Sequence, residues 1–220
     1  MPFLPGRIQI GHLRVQPPDT DIGTHAIVLA AGAGRRFGGG KLCSQFRGRP
    51  LVTWAVEAAL ATRVAGVTVV LGADADRVGM ALSAFQDERL RTVTCPEWND
   101  GLSRSLICGL ESLPPDARAV LLFLGDMPNV SSGLADQLLG AVLSGAPAAM
   151  PVCEGLPAHP VAIASGLFPG LHGLAGDKGA RSFLRDVSGA VQIQTDDCAS
   201  LFDVDRREDL RAEPAPPSER

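Results

Sequence analysis

Five glycines fall within the nine residues from Gly32 to Gly40, interleaved with Arg35 and Arg36 and closed by Lys41. Glycine lets backbone N–H groups approach an anion closely and lets the chain take positive φ, while the arginines and the lysine add full positive charge. Such a stretch suits a polyphosphate, although a simple turn with solvated cations uses the same residues. The spacing lacks the Gly-Lys-Ser/Thr ending of a Walker loop, and Phe37 stands where the dinucleotide fingerprint needs its third glycine. A kinase or an ordinary NAD enzyme is therefore disfavoured. The second chemical signal is Asp126, which follows Gly125 at the end of the apolar run from Ala119 to Leu124. A carboxylate there can hold Mg²⁺, a hard cation that prefers oxygen ligands and bridges phosphates. As the first residue of Asp-Met-Pro it also suits a turn. Asp203 and Asp205 are spaced i, i+2, which on a strand puts both on one face and within reach of one metal. Asp205 is the better candidate for the second ligand and Asp203 the reserve.

These residues need a scaffold, and apolar runs of strand length supply it. Ala26–Ala31 and 67–71 both break into glycine; further strands are expected at 90–94, 119–124 and 148–152. Helical spacing predicts helices over 51–60, 75–85, 102–113, 132–143 and 179–187. Alternating strands and helices indicate an α/β fold, a doubly wound, mostly parallel sheet with helices on both faces. In such a sheet ligands bind at the carboxyl ends of the strands. Residues 1–24 read as an extension with one short strand at 7–15, residues 25–211 as the domain, and the Pro-rich 212–220 as a disordered tail. Ser103 and Ser105, after the turn at Gly101, lie near a helix N-terminus, where free N–H groups favour anions; an ordinary serine cap looks the same. His159 sits between Pro157 and Pro160, which hold it in place for a structural role or for a ligand. Asp177, Lys178 and Arg181 form a glycine-rich turn that can grip a phosphate, unless Asp177 caps the helix that follows.

A net charge of −4 argues against a nucleic-acid partner, whose electrostatic footprint would be basic. Five cysteines without Cys-x-x-Cys spacing suggest reduced thiols rather than a disulfide frame or zinc site, and hence a cytoplasmic protein. No apolar run is long enough for a membrane span.

The run Leu29-Ala30-Ala31-Gly32, then Arg36-Phe37-Gly38, then Lys41 resembles the Leu-Ala-Ala-Gly-x-x-x-Arg-Met-Gly-x-x-Lys signature of nucleotidyltransferases, and within them the MobA/MocA-like branch that attaches a nucleotide to the molybdenum cofactor. Asn99-Asp100-Gly101-Leu102 with Ser105-Leu106, Gly125-Asp126-Met127-Pro128, Gly155 to Val161, Gly176 to Arg181 and Asp203-Val204-Asp205 are similar, in order, to further segments of that family. Departures are Gly34 for Ser, Phe37 for Met, Met127 for Gln and Arg206-Arg207 for Thr-Pro. The resemblance implies a Rossmann-like nucleotidyltransferase fold over 25–211 and transfer of CMP from CTP to molybdopterin. It assigns the nucleotide to Leu29, Ala30, Ala31, Gly32, Gly34, Arg36, Lys41, Gly101, Ser103 and Ser105. Catalysis goes to Arg36, Lys41 and Asp126, the acceptor to Pro157, His159, Asp177 and Arg181, and Mg²⁺ to Asp126, Asp205 and Asp203. Ala31 is the feature that leans toward CTP, since guanylyltransferases tend to carry glycine there. Molybdoenzyme apoproteins or chaperones would be downstream partners. Alternatives on the same scaffold are a transferase using GTP or another phosphorylated acceptor, a flavin- or NAD(P)H-linked oxidoreductase, and a non-catalytic cofactor-delivery protein.

Overall fold

The computed structural model describes residues 21–196 and 198–211. The short strand expected at 7–15 and the tail at 212–220 lie outside the described residues.

The chain runs β1 (Asp21–Ala30), β2 (Gln45–Phe46), β3 (Arg49–Pro50), α1 (Leu51–Leu60), β4 (Val64–Leu71), α2 (Ala75–Leu82), β5 (Leu90–Thr94), α3 (Leu102–Glu111), β6 (Ala119–Leu124), α4 (Ser132–Leu143), β7 (Ala148–Cys153), β8 (Leu156–Pro157), β9 (Val161–Ala164), α5 (Phe168–His172), α6 (Ala180–Leu184) and β10 (Val191–Gln194). The main sheet has the order β10-β7-β9-β6-β1-β4-β5, with β8 paired to the carboxyl end of β7. Strands β6, β1, β4 and β5 are mutually parallel. Strand β9 is inserted antiparallel between β6 and β7. The fold is thus the expected doubly wound, mostly parallel sheet with helices on both faces.

Burial on both faces explains why β1 reads as a continuous apolar run. Ala26, Val28 and Ala30 pack into the core beneath α1, α2 and α4, while Ile27, Leu29 and Ala31 pack into the second core beneath α3, α5 and α6. Helix α4 is capped by Ser131, whose side chain accepts the Leu134 N–H at 3.4 Å. From β1 the chain winds one way to β4 and β5 and later returns to place β6 on the other side. The carboxyl ends of β1 and β6 therefore flank the crevice where such sheets take ligands.

Several expectations shift. Strand β1 begins at Asp21, ahead of Ala26, and β4 at Val64; helices α2, α3 and α6 end earlier than their periodicity suggested. Asp203 and Asp205 sit on an irregular segment rather than a strand. The expectation of five reduced thiols is corrected: Cys153, at the end of β7, is disulfide-bonded to Cys198, with Cα atoms 5.4 Å apart. The two lie 45 residues apart in sequence, so no local spacing announces the bond. The cysteines then no longer argue for a reducing compartment. Among the described residues no helix is long and apolar enough to cross a membrane.

Candidate active site

Beyond β1 the glycines fold the chain into two short 3-10 turns, Arg35–Phe37 and Lys41–Cys43. Gly34 precedes the first with φ 59° and Gly40 the second with φ 66°. Both angles are in the left-handed region, where a side chain is strained. The Gly34 carbonyl accepts the N–H groups of Phe37, Gly38 and Gly39 at 3.0–3.2 Å. Phe37 is buried and pins this loop to the core. A Cβ on Gly34 would come within 2.9 Å of the Lys41 Cβ, so the loop closes onto the stem of that lysine.

Lys41 donates from Nζ to Asp126 Oδ2 at 2.6 Å, and its Nζ lies 3.9 Å from Asp205 Oδ1. The Lys41 and Asp126 side chains are only 12% and 25% exposed, which screens the pair less than a surface ion pair. Arg36, on the solvent side, reaches Asp205 Oδ2 at 3.2 Å. The Val204 N–H donates to the Asp126 carbonyl at 3.1 Å, and Val204 is buried, which brings the segment of Asp203 and Asp205 to the end of β6. Burial first, then the charges of Asp205 and Asp126, push the Asp203 carboxyl above its usual range, with Lys41 opposing.

An open cleft of about 580 Å³ lies over these groups. Among the residues singled out in the sequence, Leu29, Ala31, Gly32, Gly34, Lys41, Asp126, Gly101, Ser105 and Asp177 line it. Ala30 faces the core on the other side of the sheet. Ser103 is fully buried, its N–H donates to the Gly176 carbonyl at 3.0 Å, and its hydroxyl has no partner among the described residues. Gly101, at φ 112°, passes so close to Gly176 that a Cβ would lie 2.4 Å from its carbonyl. This close packing brings the Gly176–Asp177 turn to the cleft wall. Arg35, Trp98, Asn99 and Asp100 also line the cleft; Arg35 was marked in the sequence only as a loop cation and Asn99 and Asp100 only as part of a matching segment, and none of the four was assigned to the ligand. Arg35 donates to Asn99 Oδ1 at 2.6 Å. Trp98 carried no sequence signal beyond its proximity to Gly101.

A MobA-like NTP transferase domain matches residues 26–194. The chain belongs to the MobA-like NTP transferase family. It is 33% identical over 202 residues to nicotine blue oxidoreductase of Paenarthrobacter nicotinovorans, a match covering 87% of this chain and 97% of that protein. It is 31% identical over 196 residues to the purine catabolism protein PucB of Bacillus subtilis, covering 83% and 92%. A Mycobacterium tuberculosis protein shares the fold with a TM-score of 0.74 at 24% identity, covering 87% of this chain and 97% of its own. That protein is also known in complex with manganese.

In this MobA-like domain the residues assigned by resemblance to the acceptor separate. Asp177 lines the cleft and is exposed. It does not cap α6, which is preceded by Gly179 and has no side-chain cap hydrogen bond. Arg181 donates to the Pro157 carbonyl at 2.8 Å and so ties α6 to β8. His159 is only 6% exposed, and burial, reinforced by the Arg181 charge, lowers its pKa to about 4 despite a hydrogen bond with the Leu122 carbonyl. The imidazole is thus held neutral within the packed interior, and His159 is not among the residues that line the cleft.

Among the described residues no three His, Cys, Asp or Glu side chains gather closely enough to form a metal site by themselves. The fit to a divalent cation rests instead on Asp126 and Asp205, whose carboxylates already converge on one positive charge, the Lys41 ammonium. Hard oxygen donors of this kind suit Mg²⁺ or Mn²⁺, with nucleotide phosphates and water as remaining ligands.

Proposed function

We propose that this chain transfers CMP from CTP to a molybdopterin-type phosphorylated acceptor and releases pyrophosphate. The observation that carries the reading is the Lys41–Asp126 pair, 2.6 Å apart, between the glycine loop and the end of β6 and facing a cleft of nucleotide dimensions. A phosphate oxygen of the acceptor attacks the α-phosphorus of CTP. The bond from that phosphorus to the bridging oxygen breaks, and pyrophosphate leaves with the electron pair. No protein nucleophile is needed, because positioning and charge neutralisation lower the barrier.

The glycine-loop N–H groups bind the triphosphate, and Lys41 and Arg36 offset the negative charge that shifts onto the leaving group. Asp126 and Asp205, with Asp203 beside them, would hold Mg²⁺, which supplies Lewis-acid stabilisation of phosphate oxygens. Gly101 and Ser105 line the cleft, and by the family resemblance they would contact base and sugar. Ala31 supports cytosine and the MobA/MocA-like pattern supports the pterin, so molybdoenzyme apoproteins or their chaperones would receive the product. The test is pyrophosphate release with CTP, Mg²⁺ and molybdopterin, each omitted in turn and with GTP in place of CTP. Release only with the full CTP mixture supports the proposal; equal release with GTP rejects the cytidylyl assignment.

A second reading is favoured by one finding, the 33% identity to nicotine blue oxidoreductase over almost all of that protein. It predicts oxidation of NAD(P)H in the presence of an electron acceptor and no dependence of pyrophosphate release on any pterin.

A further inference from the structure

Two positions at which the chain departs from the pattern it resembles touch each other. Phe37 stands for the usual methionine and Arg206-Arg207 for Thr-Pro. The Arg207 guanidinium carbon lies 4.9 Å from the centroid of the Phe37 ring, within the roughly 6 Å of a cation–π contact. The ring is a fixed platform, because Phe37 is buried in the core. Arg207 opens a 3-10 turn, Arg207–Arg211, that starts two residues after Asp205. Asp209 Oδ2 accepts the N–H groups of Asp205 and Arg206 at 2.8 and 2.6 Å, so Asp205 and this turn form one rigid piece. The Arg36–Asp205 pair also connects this piece to the glycine loop, but it is exposed, and such pairs hold weakly. The stacking on Phe37 joins the same piece to the glycine loop through a buried ring, beside the buried Val204 that ties it to the end of β6.

We propose that Arg207 is a positioning residue: through Phe37 it fixes Asp205 opposite Lys41 and Asp126, and so sets the affinity for the divalent cation taken up with the nucleotide. The inference rests on the nucleotidyltransferase reading above. Its sign separates it from simple electrostatics. Removing a cation beside a metal site should by charge alone tighten metal binding, whereas losing a positioning contact should weaken it.

The experiment is a Mn²⁺ titration of the full chain followed by electron paramagnetic resonance, with CTP present and no acceptor. Arg207→Ala is expected to weaken Mn²⁺ about 2- to 5-fold, the size of an exposed cation–π contact. Arg207→Lys should restore most of the loss. Arg206→Ala, which removes an equal charge from the residue just before that turn, should not weaken binding. In a Phe37→Leu background Arg207→Ala should have no further effect. Unchanged or tighter binding by Arg207→Ala overturns this proposal and leaves the transferase reading standing. Failure of the unaltered chain to bind Mn²⁺ with CTP overturns both.

Discussion

Lys41 and Asp126 bring opposite charges to a place where water only partly screens them, so neither can be neutralised without consequence for the other. Asp126→Asn keeps the shape and a hydrogen-bond acceptor for Lys41 Nζ, yet removes the charge that a cation needs. Loss of one well-placed electrostatic group typically costs about 100- to 1,000-fold in kcat. Pyrophosphate release by Asp126→Asn should fall by at least about 100-fold while its circular dichroism spectrum stays that of the unaltered chain. A protein that only delivers cofactor would hand it over unimpaired. His159 supports a prediction of a different kind. Its folded pKa of about 4 lies below the 6.5 of an unfolded histidine, so between those values the unfolded chain binds the extra proton. Stability is therefore full above pH 6.5 and lost as pH falls toward 4, by about 3 kcal/mol in total. Burial also lowers the pKa of His25, in the same sense. Urea midpoints measured from pH 7.5 to pH 4.5 should fall, and His159→Gln should flatten much of that slope.

The elements most legible in the sequence were those whose burial is symmetric. β1, β4 and β6 lie between two helical layers, so their runs are almost wholly apolar, with Thr68 the polar exception in β4, and glycine marks where each leaves the sheet. That placed the glycine loop and Asp126 at the carboxyl rim of the sheet before any contact was known; that their strands are neighbours is seen only in the structure. Strand β9 was less visible. It has four residues, and its antiparallel place between β6 and β7 depends on partners distant in sequence. The same holds for Asp205, whose position depends on the Val204 hydrogen bond, the Asp209 cap and the Arg207–Phe37 contact rather than on a strand. Cys153 and Cys198 were misread because their pairing depends on where β7 ends, not on spacing. Their bond closes the stretch between β7 and the 3-10 turn that precedes Asp203 and Asp205. A disulfide of this kind contributes about 2–4 kcal/mol. Cys153→Ser should lower the urea-derived stability by that amount under oxidising conditions, and under a dithiol reductant the variant and the unaltered chain should converge.

At the scale of the whole molecule, the cleft, the glycine loop and the end of β6 belong to one sheet, so a ligand spanning them should stabilise the fold as a unit. Binding to the folded state alone adds RT ln(1 + [L]/Kd), about 2.7 kcal/mol at 100 times Kd. For a chain of this length that corresponds to a rise in Tm of about 5–11 °C. CTP with Mg²⁺ is expected to produce such a shift, and CTP with a chelator a smaller one, because Asp126 and Asp205 would then face the phosphates without an intervening cation. If GTP binds tenfold more weakly, the same concentration adds about 1.4 kcal/mol, or about 3–6 °C. The comparison also bears on the oxidoreductase reading without requiring its substrate. A larger shift with NADPH than with CTP and Mg²⁺ would show that the cleft has kept the nucleotidyltransferase sheet but changed its ligand. A larger shift with CTP, abolished by Asp126→Asn when Mg²⁺ is present, would tie nucleotide and cation to the same carboxylate.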